Sequence, residues 1–327
     1  MLKDSPTVFH EPTLNSFAAL GRQIHSQVRS ALQDLLSSET QNPAALRDDP
    51  DLRNAALLHR STVHNHLPVS IGDYTDFYAG YNHAFMVGCL FRGPANALQP
   101  NYTHLPVAYH SRSSSVIVSN TPVYRPIGQI LLDPSAEQKE PTTAAARRLD
   151  MELELGVIMA TGNELGSRIK IDDAESHIFG YVLLNDWSAR DIQAWEYVPL
   201  GPFNAKNFAS TISPWIVLAD ALEPFMAKGI ENKTVIQNYL KESRAENVVD
   251  LELEVELTTS EGHSTMIAKT TSRNLLWSFP QMIAHHTLGG CPLRTGDLLG
   301  SGTISGTEAN QKGSLLELSG GGKSEIT

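Results

Sequence analysis

Apolar side chains recur every third or fourth residue from Thr13 to Ser38, where Phe17, Leu20, Ile24, Val28, Leu32 and Leu35 form one stripe. That period predicts an amphipathic helix. A polar, acid-rich connector follows. Beyond about Ile71 the rhythm changes to short β-branched and aromatic runs punctuated by Gly, Pro, Asn and Ser, as in SSVIVSNTPVYRP, GVIMATG, GYVLLND and WIVLADAL. These runs predict strands. Ser272 to His286 is the second helical stretch, with Pro280 expected to kink it or start a fresh turn. The closing SGGGKS reads as a loop or frayed end. The expected class is mostly β with α (α+β). Residues 1–70 are expected to form an N-terminal helical arm and linker, and residues 71–327 the main domain.

With 327 residues the chain can bury a large core; the length suggests two domains, although one large β-rich domain is common at this size. A formal charge of −11 and a pI near 5.5 argue against nucleic acid or an anionic membrane as partner. No apolar run approaches the roughly 20 residues of a membrane span, and the N-terminus lacks a signal-peptide pattern. Cys89 and Cys291 stand far apart without a CxxC partner, which fits a reducing, cytoplasmic compartment and excludes a thiolate metal site.

Four acids in three short strings carry the most chemical information: Asp76 in IGDYTDFY, Glu152 and Glu154 in DMELEL, and Asp186 in NDWSARD. Carboxylates that converge would suit a hard divalent cation, Mg²⁺ or Ca²⁺. In DMELEL the acids alternate with apolar residues, so a strand would send both to one face. The competing reading is a solvated strand, and LELEVEL, with Glu252, Glu254 and Glu256, shows the same alternation.

His83 follows Asp76 by seven residues, close enough to offer a general base to the same cleft, but twelve histidines are present and most must be ordinary. Glu317, in an LLELS run read as a strand, is a candidate to orient it. Lys206 and Arg92 could stabilise developing negative charge, or be surface cations. Tyr78, Tyr109, Gln193 and Tyr197 could fix a ligand or pack a core. GSGTISGT has Gly300, Gly302 and Gly306 at suggestive spacing but does not match the phosphate-binding fingerprint, so no nucleotide is expected.

The strings VFHEPTLNSF, IGDYTDFY, LFRGPANAL, NYTHLPVAYH, DMELEL, NDWSARDIQAWEYVPLGPF, TISPW, GDLLGSGTISG and LLELS, in this order, resemble the fumarylacetoacetase family across nearly all of Val8 to Ser319. The resemblance implies a catalytic domain built as a mixed β-sandwich roll, a homodimer, and metal-dependent hydrolysis of a carbon–carbon bond of 4-fumarylacetoacetate to fumarate and acetoacetate, the last step of tyrosine and phenylalanine catabolism. It implies that Asp76, Glu152, Glu154 and Asp186 hold Mg²⁺ or Ca²⁺, with Lys206 and Ser210 beside it. It implies further that His83, oriented by Glu317, activates water and that Arg92, Gln193 and Lys206 stabilise the leaving carbanion. Tyr78, Tyr109, Tyr197 and Thr303, with Arg92 and Gln193, would line the substrate. Alternatives within the resemblance are a hydrolase of another acylpyruvate or β-diketo acid, and a truncated paralogue of low activity that serves as a dimerisation partner.

The chain also departs from the family's pattern. A small SH3-like module normally precedes the helix that begins here near Thr13, and a Gly-rich segment normally follows LLELS. Ser111 and Ser113 replace the usual Gly and Ala, and Asn207, Ala209 and Ser210 the usual Ser, Gly and Thr. A β-carbon at Ala209 is expected to crowd a backbone that approaches the ion. If Ser314 to Ser319 is a strand without its usual neighbour, it becomes an open edge exposing Leu315, Leu316 and Leu318.

Overall fold

The computed structural model describes residues 7–326. The first predicted helix is realised in two pieces, Asn15–Ala18 and Arg22–Leu36. They are separated at Gly21, whose φ of 81° is the left-handed region that glycine enters freely. At the break the carbonyls of Phe17 and Ala18 accept the N–H groups of Leu20 and Gly21 at 3.1 and 3.3 Å, and also His25 Nε2 at 2.9 and 3.0 Å. Phe17 and Val28 are buried, while Leu32 and Leu36 at the far end stand exposed. The connector folds into little beyond Pro50–Ala56, a helix whose first turn is capped by Asp49.

The first strand begins at Tyr74, and an eight-stranded mixed sheet forms the body of the main domain. Its order is Ala108–His110, Tyr74–Phe77, Leu298–Gly300, Leu153–Met159, Ile178–Asp186, Ser210–Ile212 and Val116–Val118. Val217–Leu218 pairs with the outer half of Ile178–Asp186. Tyr74–Phe77 runs parallel to Leu298–Gly300 and Ser210–Ile212 parallel to Val116–Val118; the other pairings are antiparallel. Both faces of the central strands are covered, which is why GVIMATG and GYVLLND read as continuous apolar runs. On one face Leu155, Val157 and Met159 pack with Trp277, Phe279 and Met282; on the other Ile158, Val182 and Leu184 pack with Phe17 and Val28. The class is α+β, as expected.

Several local expectations change. Ser272 to His286 is not one helix: a short 3₁₀ turn at Ser272–Asn274 precedes Phe279–His286, where Ser278 and Gln281 form a capping box and Pro280 occupies the first turn. Proline is harmless there because the first-turn N–H groups have no helical partner. WIVLADAL yields only the two-residue strand Val217–Leu218 before turning helical at Ala219–Leu222. LELEVEL is the solvated case, an outer hairpin strand in which Lys269 Nζ donates to Glu252 at 2.6 Å and Glu254 at 3.0 Å.

The largest correction concerns LLELS. It is a helical turn, Leu315–Leu318, and not a strand. Ser314 caps it, and the N–H groups of Leu315 and Leu316 donate to the buried carboxylate of Asp150 at 2.6 and 3.1 Å. The expected open edge therefore does not exist, and Leu315, Leu316 and Leu318 are partly covered. SGGGKS is not frayed within the described residues. Gly320, Gly321 and Gly322 have φ of 55, 80 and 83°, and the N–H groups of Gly322, Lys323 and Ser324 all donate to Ser319 O. No helix among the described residues is long and apolar enough to cross a membrane.

Candidate active site

Strand register assembles the carboxylates. Asp76 lies opposite Gly300 on one neighbouring strand and Tyr109 on the other, Gly300 lies opposite Gly156, and Ser210 lies opposite Asp186. Asp76, Glu154 and Asp186 are buried, and each offers an oxygen within 4.8 Å of the others. They converge over bare backbone: a β-carbon on Gly300 would stand 2.7 Å from Asp76 Oδ1 and 3.1 Å from Glu154 Oε2. The Gly302 N–H donates to Glu154 Oε2 at 3.1 Å.

The three acids differ in how they are satisfied. Asp186 is saturated: Tyr109 Oη donates at 3.0 Å and Lys206 Nζ at 2.6 Å to Oδ2, and Ser210 Oγ at 2.6 Å to Oδ1. Asp76 Oδ1 and Glu154 Oε1 are buried with no hydrogen-bond partner. An unpaired buried acceptor costs about 1–3 kcal/mol, so these two oxygens are the part of the site that a ligand would complete.

Glu152 faces a different environment. Lys206 Nζ donates to its Oε2, and Arg190 Nη2 donates to its Oε1 at 2.6 Å. Arg190 also donates to Asp150 Oδ2 at 2.7 Å and to Gln193 Oε1 at 2.9 Å. Ala209 is buried, and its neighbour Ser210 keeps its hydroxyl on Asp186.

Electrostatics sort the acids in the same way. Burial first, and then the nearby Asp186, push the Asp76 carboxyl well above its ordinary range; burial and then Asp76 do the same to Glu154. Burial would also raise Glu152, but Lys206 and Arg190 outweigh it and hold that carboxyl far below the usual range. Burial works against the Lys206 ammonium, yet Asp186 and Glu152 prevail and raise its pKa. Fully ionised, the five buried carboxylates Asp76, Asp150, Glu152, Glu154 and Asp186 would outnumber the cations Arg190 and Lys206, and burial together with that excess is what raises the Asp76 and Glu154 carboxyls.

This balance fixes how stability responds to pH. Unfolded, Asp76 and Glu154 titrate near their ordinary 3.8 and 4.5; folded, they hold protons to higher pH. Their contribution is therefore complete below the ordinary values and is lost as pH rises through the raised ones. Glu152 acts oppositely: its contribution is present above its ordinary 4.5 and lost as pH falls toward its depressed value. Without divalent ions, the melting temperature is expected to peak at mildly acidic pH and decline toward alkaline pH; excess Mg²⁺ is expected to remove the alkaline decline. Calorimetry across about pH 4 to 9, with EDTA and with Mg²⁺, checks this. Two parallel curves would count against it.

A substitution separates ligand from scaffold. Asp76→Asn removes a repelling charge while breaking no hydrogen bond of Oδ1. The metal-free variant should melt at or above the wild-type temperature and lose the Mg²⁺-induced rise. A variant that still gains stability with Mg²⁺ would remove Asp76 from the ligand set.

His83, on the helix Tyr81–Arg92, is buried, and its Nδ1 lies 2.7 Å from Glu317 Oε2. Burial acts to raise Glu317, but His83 and the hydroxyls of Ser305 and Ser314 outweigh it and leave the carboxyl below its usual range. The Tyr78 ring packs edge-on to His83, centroids 5.7 Å apart. Of the remaining sequence candidates, Tyr109, Lys206 and Ser210 join the carboxylates, Gln193 is held by Arg190, and Thr303 is buried where its carbonyl backs onto Gly80. Tyr197 is 38% exposed, its ring 6.4 Å from Phe91. Arg92 is exposed and spends its donors locally, Nε on Asn96 O at 3.1 Å and Nη2 on Ala97 O at 2.6 Å. The sequence reading missed Asp150, Arg190 and Gly300. Arg190 and Asp150 carried no signal, since burial alone distinguishes them from surface charges; Gly300 was visible only as part of a rejected nucleotide motif.

A buried oxygen-only cluster beside a carboxylate-paired histidine is the equipment of a hydrolytic enzyme and not of a simple binding module. Comparison with known proteins agrees. A family model described as fumarylacetoacetate (FAA) hydrolase C-terminal matches residues 74–326, and one described as fumarylacetoacetase N-terminal matches residues 1–68. Fumarylacetoacetase fahA of Aspergillus fumigatus is 60% identical over 316 residues, covering 96% of this chain and 73% of that protein. Fumarylacetoacetase of Rattus norvegicus is 49% identical over 98% of this chain and 75% of the relative, and that of Homo sapiens 48% identical over 100% and 76%. Among solved structures, Cg1458 with an inhibitor shares the fold with a TM-score of 0.52 at 17% identity, covering 78% of this chain and 72% of that one. The chain belongs to the fumarylacetoacetate hydrolase family.

Proposed function

We propose that this chain hydrolyses a carbon–carbon bond of 4-fumarylacetoacetate, releasing fumarate and acetoacetate. The observation that carries the reading is the 60% identity, over 316 residues, to a protein named fumarylacetoacetase. Support comes from the histidine–glutamate pair that shares the buried site with the carboxylates. The unpartnered oxygens of Asp76 and Glu154, their close approach to the bare Gly300 backbone and the oxygen-only donor set fit a hard divalent cation, Mg²⁺ or Ca²⁺, held by Asp76, Glu154 and Asp186 with Glu152 alongside. When bound, such an ion supplies Lewis-acid polarisation of a diketone.

The chain's own residues do the rest. His83 takes a proton from water, whose oxygen bonds to the carbonyl carbon next to the scissile bond. Glu317 holds the resulting imidazolium by accepting its Nδ1–H. As the carbon–carbon bond breaks, its electron pair leaves on the acetoacetate carbon as an enolate. The Lys206 ammonium and the Gln193 amide, with Arg92 if it turns from its carbonyls, oppose that charge. His83 then returns the proton to carbon. Tyr78, Tyr109, Tyr197 and Thr303 line the substrate in this reading.

Loss of the ultraviolet absorbance of fumarylacetoacetate on adding purified protein, abolished by EDTA and restored by Mg²⁺ or Ca²⁺, is the expected result. A rate equal to that of buffer would remove the reading; turnover of a simpler acylpyruvate in its place would keep the chemistry and change the substrate.

The same reading divides the chain into an arm up to about residue 70 and a catalytic domain beyond it, and makes the protein a homodimer. Leu183, Trp215 and Val217, exposed by 55, 65 and 43%, lie on and just before the paired strands Ile178–Asp186 and Val217–Leu218 and offer apolar surface to a second copy. Sedimentation equilibrium returning the monomer mass of 35.8 kDa would overturn the dimer.

A further inference from the structure

We infer that Ser305 and Ser314 are positioning residues that fix the proton of the His83–Glu317 pair on His83 Nδ1 and so leave Nε2 as the free base. The inference rests on the proposed reaction only in giving that base a task. Its substance is a chain of hydrogen-bond directions.

Both serines are fully buried. Ser305 Oγ accepts the Gly313 N–H at 2.9 Å, so its own proton is directed to Glu317 Oε2 at 2.8 Å. Ser314 Oγ accepts the Glu317 N–H at 3.3 Å and sends its proton to the same Oε2 at 2.9 Å. With His83 Nδ1 at 2.7 Å, three groups converge on one oxygen, while Oε1 is buried without a partner. A neutral Glu317 would need its proton on Oε2, where it would displace a donor, or on Oε1, where a buried O–H would find no acceptor. Three donors aimed at Oε2 favour a carboxylate, whose Oε1 is then the one oxygen left without a partner. A carboxylate accepts from all three, so His83 must be the donor at Nδ1, and its lone pair is on Nε2. The serines are also held rigidly. Lys312 Nζ donates to Gly306 O at 2.8 Å and Thr307 O at 3.0 Å, closing the loop that carries Ser305, and Ser314 caps the helical turn that carries Glu317. Without the two hydroxyls, Glu317 would keep one donor in an apolar setting. Retaining a proton would then become favourable, and His83 could present its lone pair at Nδ1 instead, with Nε2 protonated and useless as a base.

The test reads the tautomer directly, by long-range proton–nitrogen spectra of the full chain labelled with ¹⁵N-histidine, with His83 assigned by its absence in His83→Ala. Wild-type His83 is expected to be protonated at Nδ1 and unprotonated at Nε2. The Ser305→Ala/Ser314→Ala double variant should show the opposite tautomer as a second signal set, with kcat down roughly 10-fold and KM within about two-fold, a fraction of what a general base contributes. Ser305→Ala alone keeps the Ser314 cap and should move both readouts in the same direction by less, so it serves if the double variant fails to fold. Wild-type His83 protonated at Nε2, or Ser305→Ala with wild-type nitrogen shifts whatever its activity, would overturn the inference. Failure of the wild-type protein to cleave fumarylacetoacetate, with the tautomer still following the serines, would overturn the proposed reaction and leave this inference standing.

Discussion

Asp186→Ala is expected to leave less than about one thousandth of the wild-type turnover, to abolish measurable Mg²⁺ binding and to lower the melting temperature of the metal-free protein. The first two effects follow from removing one of three converging carboxylates, which takes away the electrostatic core of the site. The third follows from what Asp186 does for the fold. It accepts from Tyr109, Lys206 and Ser210, and its loss leaves the buried Lys206 ammonium with Glu152 as its one remaining carboxylate. Breaking a buried charge pair on one side typically costs about 3–5 kcal/mol. The contrast with Asp76→Asn is the informative part, because that variant should lose the metal and keep the fold. Steady-state kinetics, calorimetric Mg²⁺ titration and thermal unfolding of the two proteins side by side measure all three quantities. If both variants melt alike, the division between saturated and unsaturated carboxylates is wrong.

His83→Ala is expected to lower kcat by roughly 10²–10⁴-fold, the range for loss of a general base, with Mg²⁺ affinity close to wild type. Its Nδ1 is committed to Glu317, and neither nitrogen is among the clustered carboxylate oxygens. Glu317→Gln should cause a smaller loss in the same direction, since the imidazole remains but the amide no longer demands a proton at Nδ1. Lost metal binding in His83→Ala would make the histidine a ligand and require another base. An unchanged kcat in His83→Ala would remove the residue from the reaction altogether.

The two histidine and aspartate predictions depend on distances that run across the whole chain. Asp76 and Glu154 are far apart in sequence, and Glu317 is 234 residues from His83. What joins them is the parallel pairing of Tyr74–Phe77 with Leu298–Gly300 and the docking of the Leu315–Leu318 turn on Asp150. Asp150 deserves its place in the account for that reason: one buried carboxylate ties the base-orienting turn to Arg190, and through Arg190 to Glu152 and Gln193.

By itself the sequence determined the α+β class, the apolar stripe of the first helix, an interruption at Pro280 without deciding between a kink and a fresh turn, and the family, because periodicity, proline geometry and long motif strings are local properties. It also named Asp76, His83, Glu154 and Asp186 as candidates. It did not separate DMELEL from LELEVEL, two runs with the same alternation, of which one lies in the buried site and the other on a solvated hairpin. Alternation reports that a strand has two faces and says nothing of what covers them. It misread LLELS as a strand because its leucines fit either structure; the Ser314 cap, with Glu317 three residues on, was a local helix signal left unused, whereas the Asp150 carboxylate that receives the turn's N–H groups comes from a distant segment. The roles of Arg190, Asp150, Ser305 and Gly300 were decided only in three dimensions. A charge becomes a buried partner, a hydroxyl a directed donor and a missing β-carbon the room in which two carboxylates approach only when tertiary packing excludes water and brings a distant residue to the other side.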